Sequence, residues 1–124
     1  MPYKVAIIED DHAVQLMYKF KLEHEGFHVA VASNGVEGLA LAEQFSPDIV
    51  LLDLNMPLMG GAEMLTRLRE TDWGSSIRVI ILANTSKNEA PQALRFLHVD
   101  RYIEKSHSTP MQVVGIVREV MGIT

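Results

Sequence analysis

The sequence predicts an α/β fold in which helices cover both faces of one doubly wound, five-stranded parallel sheet. Short runs of branched apolar residues recur along the 124-residue chain without polar alternation, a pattern typical of strands buried on both faces. The segments between these runs carry apolar residues at helical spacing. Strands that alternate with helices in this way form a parallel sheet.

Five segments are predicted as strands. Three of them are continuous apolar runs at residues 5–8, 49–52 and 79–82. The segment 27–32 has its larger apolar side chains on one face only, and the segment 101–105 has only Tyr102 and Ile103 as apolar bulk. These two segments are therefore predicted to lie at the two edges of the sheet.

The first predicted helix follows the first strand. Its apolar residues recur at helical spacing: Ala13, Leu16, Met17 and Phe20. Gly26 is expected to end this helix, because glycine readily adopts the left-handed conformation found after helix C-termini.

Two further helices flank the third strand. Asn34 is expected to begin the second helix, which ends near Phe45 because Pro47 cannot continue it. The third helix follows a turn rich in proline and glycine and is marked by Leu65 and Leu68.

The last two helices have different start signals. Ser86 and Asn88 are both candidates for the N-cap of the fourth helix. Asn88 is preferred because it places Pro91 in the first turn, where no backbone N–H is needed. The fifth helix has the clearer start, with Thr109 as N-cap and Pro110 at its first position.

The predicted strand order is 2-1-3-4-5. It follows from placing the second and fifth strands at the edges and connecting the strands by right-handed crossovers. The result is a flavodoxin-like (βα)5 three-layer sandwich. In such a sheet, ligands bind beyond the carboxyl ends of the strands where the winding direction reverses, here between the first and third strands.

Composition limits the possible functions. With 48% hydrophobic and 22% charged residues, the chain is expected to form a single domain over residues 1–124. A net charge of -5 argues against the basic surface that direct nucleic-acid binding requires. The absence of cysteine excludes disulfides and thiolate chemistry. No signal peptide and no membrane-spanning apolar stretch is recognisable, so a cytoplasmic location is expected.

Carboxylates follow the first and third predicted strands. Glu9, Asp10 and Asp11 come directly after the first, and Asp53 ends the third. Carboxylates this close repel one another unless a cation or protons are present, and such oxygen ligands favour Mg²⁺ shared with a phosphate. A carboxylate beside the ion can form an aspartyl phosphate, and Lys105 supplies a positive charge for phosphate oxygens.

Each of these residues also has an ordinary structural explanation. Asp11 can cap the first helix, where the helix dipole favours an acidic group. A single aspartate such as Asp53 often forms a turn at a strand end, and a single lysine such as Lys105 is usually solvated. Their convergence at three strand ends favours the chemical interpretation.

With these residues assigned, the chain resembles the receiver domain of two-component response regulators, such as the chemotaxis regulators, over essentially its whole length. The resemblance rests on the Asp10-Asp11 pair, on the segment 53–57 followed by Gly60, and on the segment 102–105. The spacing between these motifs matches the family without an evident gap.

The resemblance implies a role for each motif residue. Asp53 would be the phosphoacceptor, and Lys105 would contact the phosphoryl group. Asp10 and Asp11 would hold Mg²⁺ together with Asp53 and the backbone carbonyl of Asn55.

The resemblance also implies partners. The phosphoryl donor would be a histidine kinase or a histidine phosphotransfer protein, and the reader would be a downstream effector protein or output domain. The domain would catalyse only its own phosphorylation and dephosphorylation, without direct nucleic-acid or membrane binding. A phosphatase of the haloacid-dehalogenase type is disfavoured, because such enzymes usually carry a second aspartate where this chain has Asn55.

One position departs from the family pattern. Receivers usually carry Thr or Ser at the end of the fourth strand, where this chain has Ala83. In the family that hydroxyl couples the phosphoryl group to the aromatic switch residue, here Tyr102, and one such bond contributes about 1–3 kcal/mol. The alternative function is therefore a receiver-like interaction module that phosphorylation switches weakly, unless Thr85 or Ser86 supplies the hydroxyl.

Overall fold

The computed structural model describes residues 2–123 as one parallel five-stranded sheet with helices on both faces. The strands are β1 (Lys4–Ile8), β2 (His28–Ala32), β3 (Ile49–Asp53), β4 (Arg78–Ala83) and β5 (Arg101–Glu104). The α-helices are α1 (His12–His24), α2 (Gly35–Phe45), α3 (Gly61–Arg69) and α4 (Pro110–Met121). The order β2-β1-β3-β4-β5 confirms the predicted topology.

The register of the sheet brings the strand ends together. Ile8, the last residue of β1, pairs with Ala32 of β2 and with Leu52 of β3. Asp53 ends β3 opposite Leu82. Because all five strands are parallel, the loops after β1, β3 and β5 leave the sheet at the same end, where the carboxyl ends of the strands lie.

The core lies in two layers, one on each face of the sheet. On one face, α1 and α4 pack over alternate residues of the strands, with Leu22 and Val117 fully buried. On the other face, α3 contributes Met64, Leu65 and Leu68 to the second layer, all fully buried. The continuous apolar strands are thus covered on both sides, as their composition predicts. None of the α-helices within residues 2–123 combines the length and apolar character needed to cross a membrane.

Helix caps follow the sequence signals at two of the predicted positions. The Asn34 side chain accepts a hydrogen bond from the Glu37 backbone N–H at the start of α2. Thr109 and Gln112 form a reciprocal capping box at the start of α4, with Pro110 at its first position. These caps satisfy backbone N–H groups that have no partner within the helix.

The predicted fourth α-helix is wrong. Two short 3-10 segments, Lys87–Glu89 and Gln92–Phe96, take its place. Ser86 precedes the first segment but its side chain makes no capping hydrogen bond, and Asn88 lies within that segment. Ala90 is extended, as expected for a residue before proline, so Pro91 interrupts the segment instead of starting a helix. Neither piece has a buried side chain, and a helix of this length needs such burial to be stable.

The apolar residues that predicted α1 do not face the sheet. Leu16, Met17 and Phe20 are exposed, and the exposed fraction of Phe20 reaches 73%. The buried residues of α1 are instead Gln15, Tyr18 and Leu22. The predicted helix is therefore confirmed, but the face that packs on the sheet is not the face formed by Leu16, Met17 and Phe20.

Candidate functional site

Three carboxylates converge beyond the ends of β1 and β3. Glu9, Asp10 and Asp53 each bring one oxygen to within 4.8 Å of the others. Glu9 and Asp53 are buried, whereas Asp10 is exposed to solvent. The cluster lies where the strand order reverses its winding, which is the predicted position of the site.

Asp11 lies outside this cluster because it caps α1. Its Oδ1 atom accepts hydrogen bonds from the backbone N–H groups of Ala13, at 2.9 Å, and Val14, at 3.2 Å. The capping alternative is therefore the one that the structure shows, and Glu9 takes the place in the carboxylate cluster that was expected for Asp11.

Lys105 points into the carboxylate cluster from the end of β5. Its Nζ atom lies 2.5 Å from Oε1 of Glu9 and 3.4 Å from Oδ1 of Asp53. Burial alone would lower the pKa of Lys105, but the hydrogen bond to Glu9 and the charge of Asp53 raise it above its ordinary value. Lys105 is therefore a permanent cation whose nearer partner is Glu9.

Asp53 is the most perturbed acid of the site. Its side chain is 4% exposed, and Oδ1 accepts a hydrogen bond of 2.9 Å from the Leu54 backbone N–H. Burial and the charge of Glu9 raise the pKa of Asp53 to about 6, although Lys105 opposes the shift. The site thus holds more negative charge than its single lysine balances.

The residues present fit a bound Mg²⁺ ion. Three carboxylates supply hard oxygen ligands within reach of one another. Burial and the charge of Glu9 both raise the pKa of Asp53, and a bound cation would favour its charged form. Three protein oxygens leave positions for water or phosphate, as Mg²⁺ usually requires. Asn55 lies exposed in the loop after Asp53, and its backbone carbonyl as a further ligand stays a prediction.

The predicted switch residues lie on neighbouring strands, with Ala83 at the end of β4 and Tyr102 as the second residue of β5. Ala83 is fully buried. The hydroxyl of Tyr102 donates to the backbone carbonyl of Thr85 at 2.9 Å and contacts that of Ser86 at 3.3 Å. The Ser86 hydroxyl donates to Glu89. Tyr102 is therefore tied to the loop after β4, and replacement of the missing hydroxyl by Thr85 or Ser86 stays a prediction.

The family model of the response regulator receiver domain matches residues 5–116. The chain belongs to this family. It is 38% identical over 120 residues to the protein-glutamate methylesterase/protein-glutamine glutaminase 3 of Rhodospirillum rubrum, an alignment that covers 95% of this chain and 32% of that protein. It is 29% identical over 122 residues to the polar-differentiation response regulator DivK of Brucella anthropi, with 98% of both chains covered.

Solved structures show the same fold. The chemotaxis response regulator CheY4 of Vibrio cholerae superposes with a TM-score of 0.88 at 23% identity, covering 97% of this chain and 99% of that chain.

The receiver chain spans less than half of the length of several curated relatives that it matches. Receiver domains serve two-component phosphorelay signalling, generally act as switches rather than enzymes, and bind Mg²⁺ at an acidic site.

Two residues of the site carried little or no signal in the sequence. Glu9 was part of the acidic run, but only the cap formed by Asp11 shows which members of the run face Asp53. Gln15 is a buried polar residue of α1 at the edge of the site, and a glutamine in a helix is unremarkable in sequence. Its burial and its hydrogen bonds to the Glu9 and Ala32 carbonyls distinguish Gln15, and both are visible only in the structure.

Proposed function

We propose that this receiver domain accepts a phosphoryl group on Asp53 from a histidine kinase or histidine phosphotransfer protein, with Mg²⁺, in the cytoplasm. The observation that carries the proposal is the buried Asp53 carboxylate, which lies 3.4 Å from the cation of Lys105 and within 4.8 Å of carboxylate oxygens of Glu9 and Asp10. The proposal thus assigns a nucleophile, a counter-charge for phosphate and a cation site to one cluster of residues.

The reaction follows from these groups. A carboxylate oxygen of Asp53 attacks the phosphorus of phosphohistidine, the P–N bond breaks, and the imidazole leaves with a proton from solvent. Water later attacks the aspartyl phosphate, which returns the carboxylate and releases inorganic phosphate. The domain would therefore catalyse its own phosphorylation and dephosphorylation and no other reaction. Lys105 would stabilise the phosphoryl oxygens through its charge.

Glu9, Asp10 and Asp53 would hold the metal, with the Asn55 backbone carbonyl as a further ligand. Bound Mg²⁺ supplies positive charge that lowers the repulsion between the carboxylate and the incoming phosphate. Asp11 would keep its place as the helix cap and support the cluster from outside. This assignment shifts the metal-binding pair from Asp10 and Asp11 to Glu9 and Asp10, on the contacts described above.

The readout of phosphorylation would run through β5. Lys105 directly follows this strand, and Tyr102 within it is bonded to the loop after β4. A phosphoryl group on Asp53 would draw Lys105 away from Glu9 and so bias the position of β5 and of the loop. Tyr102 and other residues of the segment 87–102 line a groove of about 810 Å³, to which an effector protein or output domain would bind.

The test is the mass of the intact protein after incubation with acetyl phosphate and Mg²⁺. The wild type is expected to gain one phosphoryl group, and Asp53→Ala none. Asp72→Ala, which removes an exposed carboxylate, serves as the matched control and should gain the group. If acetyl phosphate and a kinase panel both fail to give an Asp53-dependent gain, the proposal is wrong. Beryllofluoride should also shift the NMR signals of Tyr102, and unchanged signals would remove the proposed readout.

The ion pairs of Lys105 lead to a separate prediction. Lys105→Met removes the cation that competes with Mg²⁺ for Glu9 and Asp53, so Mg²⁺ affinity should rise about tenfold or more, which needs only about 1.4 kcal/mol. Phosphorylation should slow, because the counter-charge for the phosphoryl group is lost. Calorimetric titration with MgCl₂ and the rate of mass gain measure the two effects.

The control for this prediction is Lys87→Met, which removes an exposed lysine from the loop after β4. It should leave Mg²⁺ affinity unchanged. If the Mg²⁺ affinity of Lys105→Met is equal to or lower than that of the wild type, Lys105 does not compete with the metal.

A further inference from the structure

Gln15 is a buried polar residue that the proposed reaction does not use. Its side chain projects from α1 toward the ends of β1 and β2, and the residue is 4% exposed. The Nε2 group donates to the backbone carbonyl of Glu9 at 2.9 Å and to that of Ala32 at 3.1 Å. Both hydrogens of the amide are therefore directed at main-chain oxygens at the end of the sheet.

These two carbonyls mark the point where β1 stops being a strand. The last parallel pair is Ile8 with Ala32, and the Glu9 N–H still donates to the Ala32 carbonyl at 3.0 Å. The Glu9 carbonyl lies beyond that pair, and Gln15 satisfies it. Gln15 thus continues the hydrogen bonding of the sheet by one residue, up to the residue that begins the acidic cluster.

Glu9 is consequently held at both its backbone and its side chain. Its N–H is bonded to β2 and its carbonyl to Gln15, while its carboxylate accepts from the Asp11 N–H and pairs with Lys105. Asp10 is the next residue, so its direction depends on the peptide group that Gln15 fixes. Groups that orient metal ligands in this way contribute to metal affinity without touching the metal.

We propose that Gln15 is a positioning residue that holds the Glu9–Asp10 backbone in the geometry needed to bind Mg²⁺. This inference rests on the proposed function of the same site. Without the amide, the Glu9 carbonyl would have to find another partner, and the backbone that presents the two carboxylates would shift. Ligand geometry matters strongly for Mg²⁺, which demands near-octahedral coordination.

The informative variant is Gln15→Met, because methionine has a similar length and volume but no donor. Calorimetric titration with MgCl₂ should show Mg²⁺ affinity lowered by about tenfold or more. The Mg²⁺ concentration that half-saturates phosphorylation should rise by the same factor, while the half-saturating concentration of acetyl phosphate stays unchanged. Gln44→Met, which replaces an exposed glutamine in α2, is the matched control and should behave like the wild type.

Together, the melting temperature and the Mg²⁺ affinity distinguish a positioning role of Gln15 from a packing role. A lower melting temperature in Gln15→Met with Mg²⁺ affinity equal to that of the wild type would overturn the inference and leave Gln15 a packing residue. If the wild type itself binds no Mg²⁺, the proposed function fails together with the inference. If Gln15→Met does not fold, Gln15→Asn is measured in the same way, because its shorter side chain keeps the polarity but cannot reach both carbonyls.

Discussion

The metal-free domain is expected to lose stability as the pH rises from about 4 to about 6. Asp53 has an ordinary pKa of 3.8 and a pKa of about 6 in the folded protein, so the folded state binds more protons than the unfolded state in this range. Under that condition the free energy of unfolding falls as pH rises. A pKa shift of this size contributes at most about 3 kcal/mol to the free energy of unfolding at low pH, and this contribution is gone once the pH exceeds about 6.

The Asp53→Asn variant should not show this loss, because asparagine carries no charge at any of these pH values. Below pH 4 the variant and the wild type should have similar stability, and at pH 7 in EDTA the variant should be more stable by up to about 3 kcal/mol. Denaturant unfolding followed by circular dichroism at pH 4, 5, 6 and 7 gives the free energies directly.

Two controls define the result. Asp72→Asn removes an exposed carboxylate and should follow the pH dependence of the wild type. Addition of Mg²⁺ at pH 7 should stabilise the wild type but have much less effect on Asp53→Asn, because the variant has lost a charged ligand. A stability difference between Asp53→Asn and wild type that is the same at pH 4 and pH 7 would contradict the raised pKa of Asp53.

The sheet could be predicted because each strand carries its environment in its composition. The apolar runs of β1, β3 and β4 are buried on both faces, and the poorer runs of β2 and β5 form the edges. Once the edges are known, handedness leaves little choice of order. The same topology brings Asp10, Asp53 and Lys105 to one end of the sheet, although they lie far apart in sequence.

The predictions that the structure contradicts have a common physical origin. They concern places where the conformational preference of the local sequence and the tertiary packing disagree. The segment around Pro91 has helical residues but no buried face, so it forms 3-10 turns. In α1, the spacing of apolar residues identifies the helix, but its buried face includes Gln15, whose amide donates to the Glu9 and Ala32 carbonyls at the end of the sheet. Among three successive acidic residues, only the geometry of the first turn of α1 decides that Asp11 is the cap.

The second large effect concerns the backbone that supports the phosphoacceptor. Gly61, the first residue of α3, donates its N–H to the Leu54 carbonyl at 2.9 Å. A Cβ atom at this position would overlap the backbone carbonyl of Asp53 and lie 3.0 Å from the Cα atom of Leu54. The Cβ atom would meet backbone atoms of both Asp53 and Leu54, and these cannot move aside as a flexible side chain would.

Gly61→Ala is therefore expected to lower the free energy of unfolding by about 1–3 kcal/mol, the usual cost of overpacking. Because the displaced atoms belong to Asp53 itself, phosphorylation should slow more than the stability loss explains, by as much as about 100-fold for a displacement near 1 Å. Denaturant unfolding and the rate of mass gain with acetyl phosphate measure the two quantities on the same sample.

Gly115→Ala is the matched control, because this glycine lies exposed within α4 and a Cβ atom there meets nothing within 4 Å. Removing a glycine from a helix interior should stabilise the domain by about 0.5–1 kcal/mol and leave phosphorylation unchanged. If Gly61→Ala folds with the stability of the wild type and is phosphorylated at the same rate, close packing of α3 against the Asp53 backbone does not position the phosphoacceptor. Opposite signs for the two glycine substitutions would show that contact with Asp53, and not helix propensity, decides the outcome at residue 61.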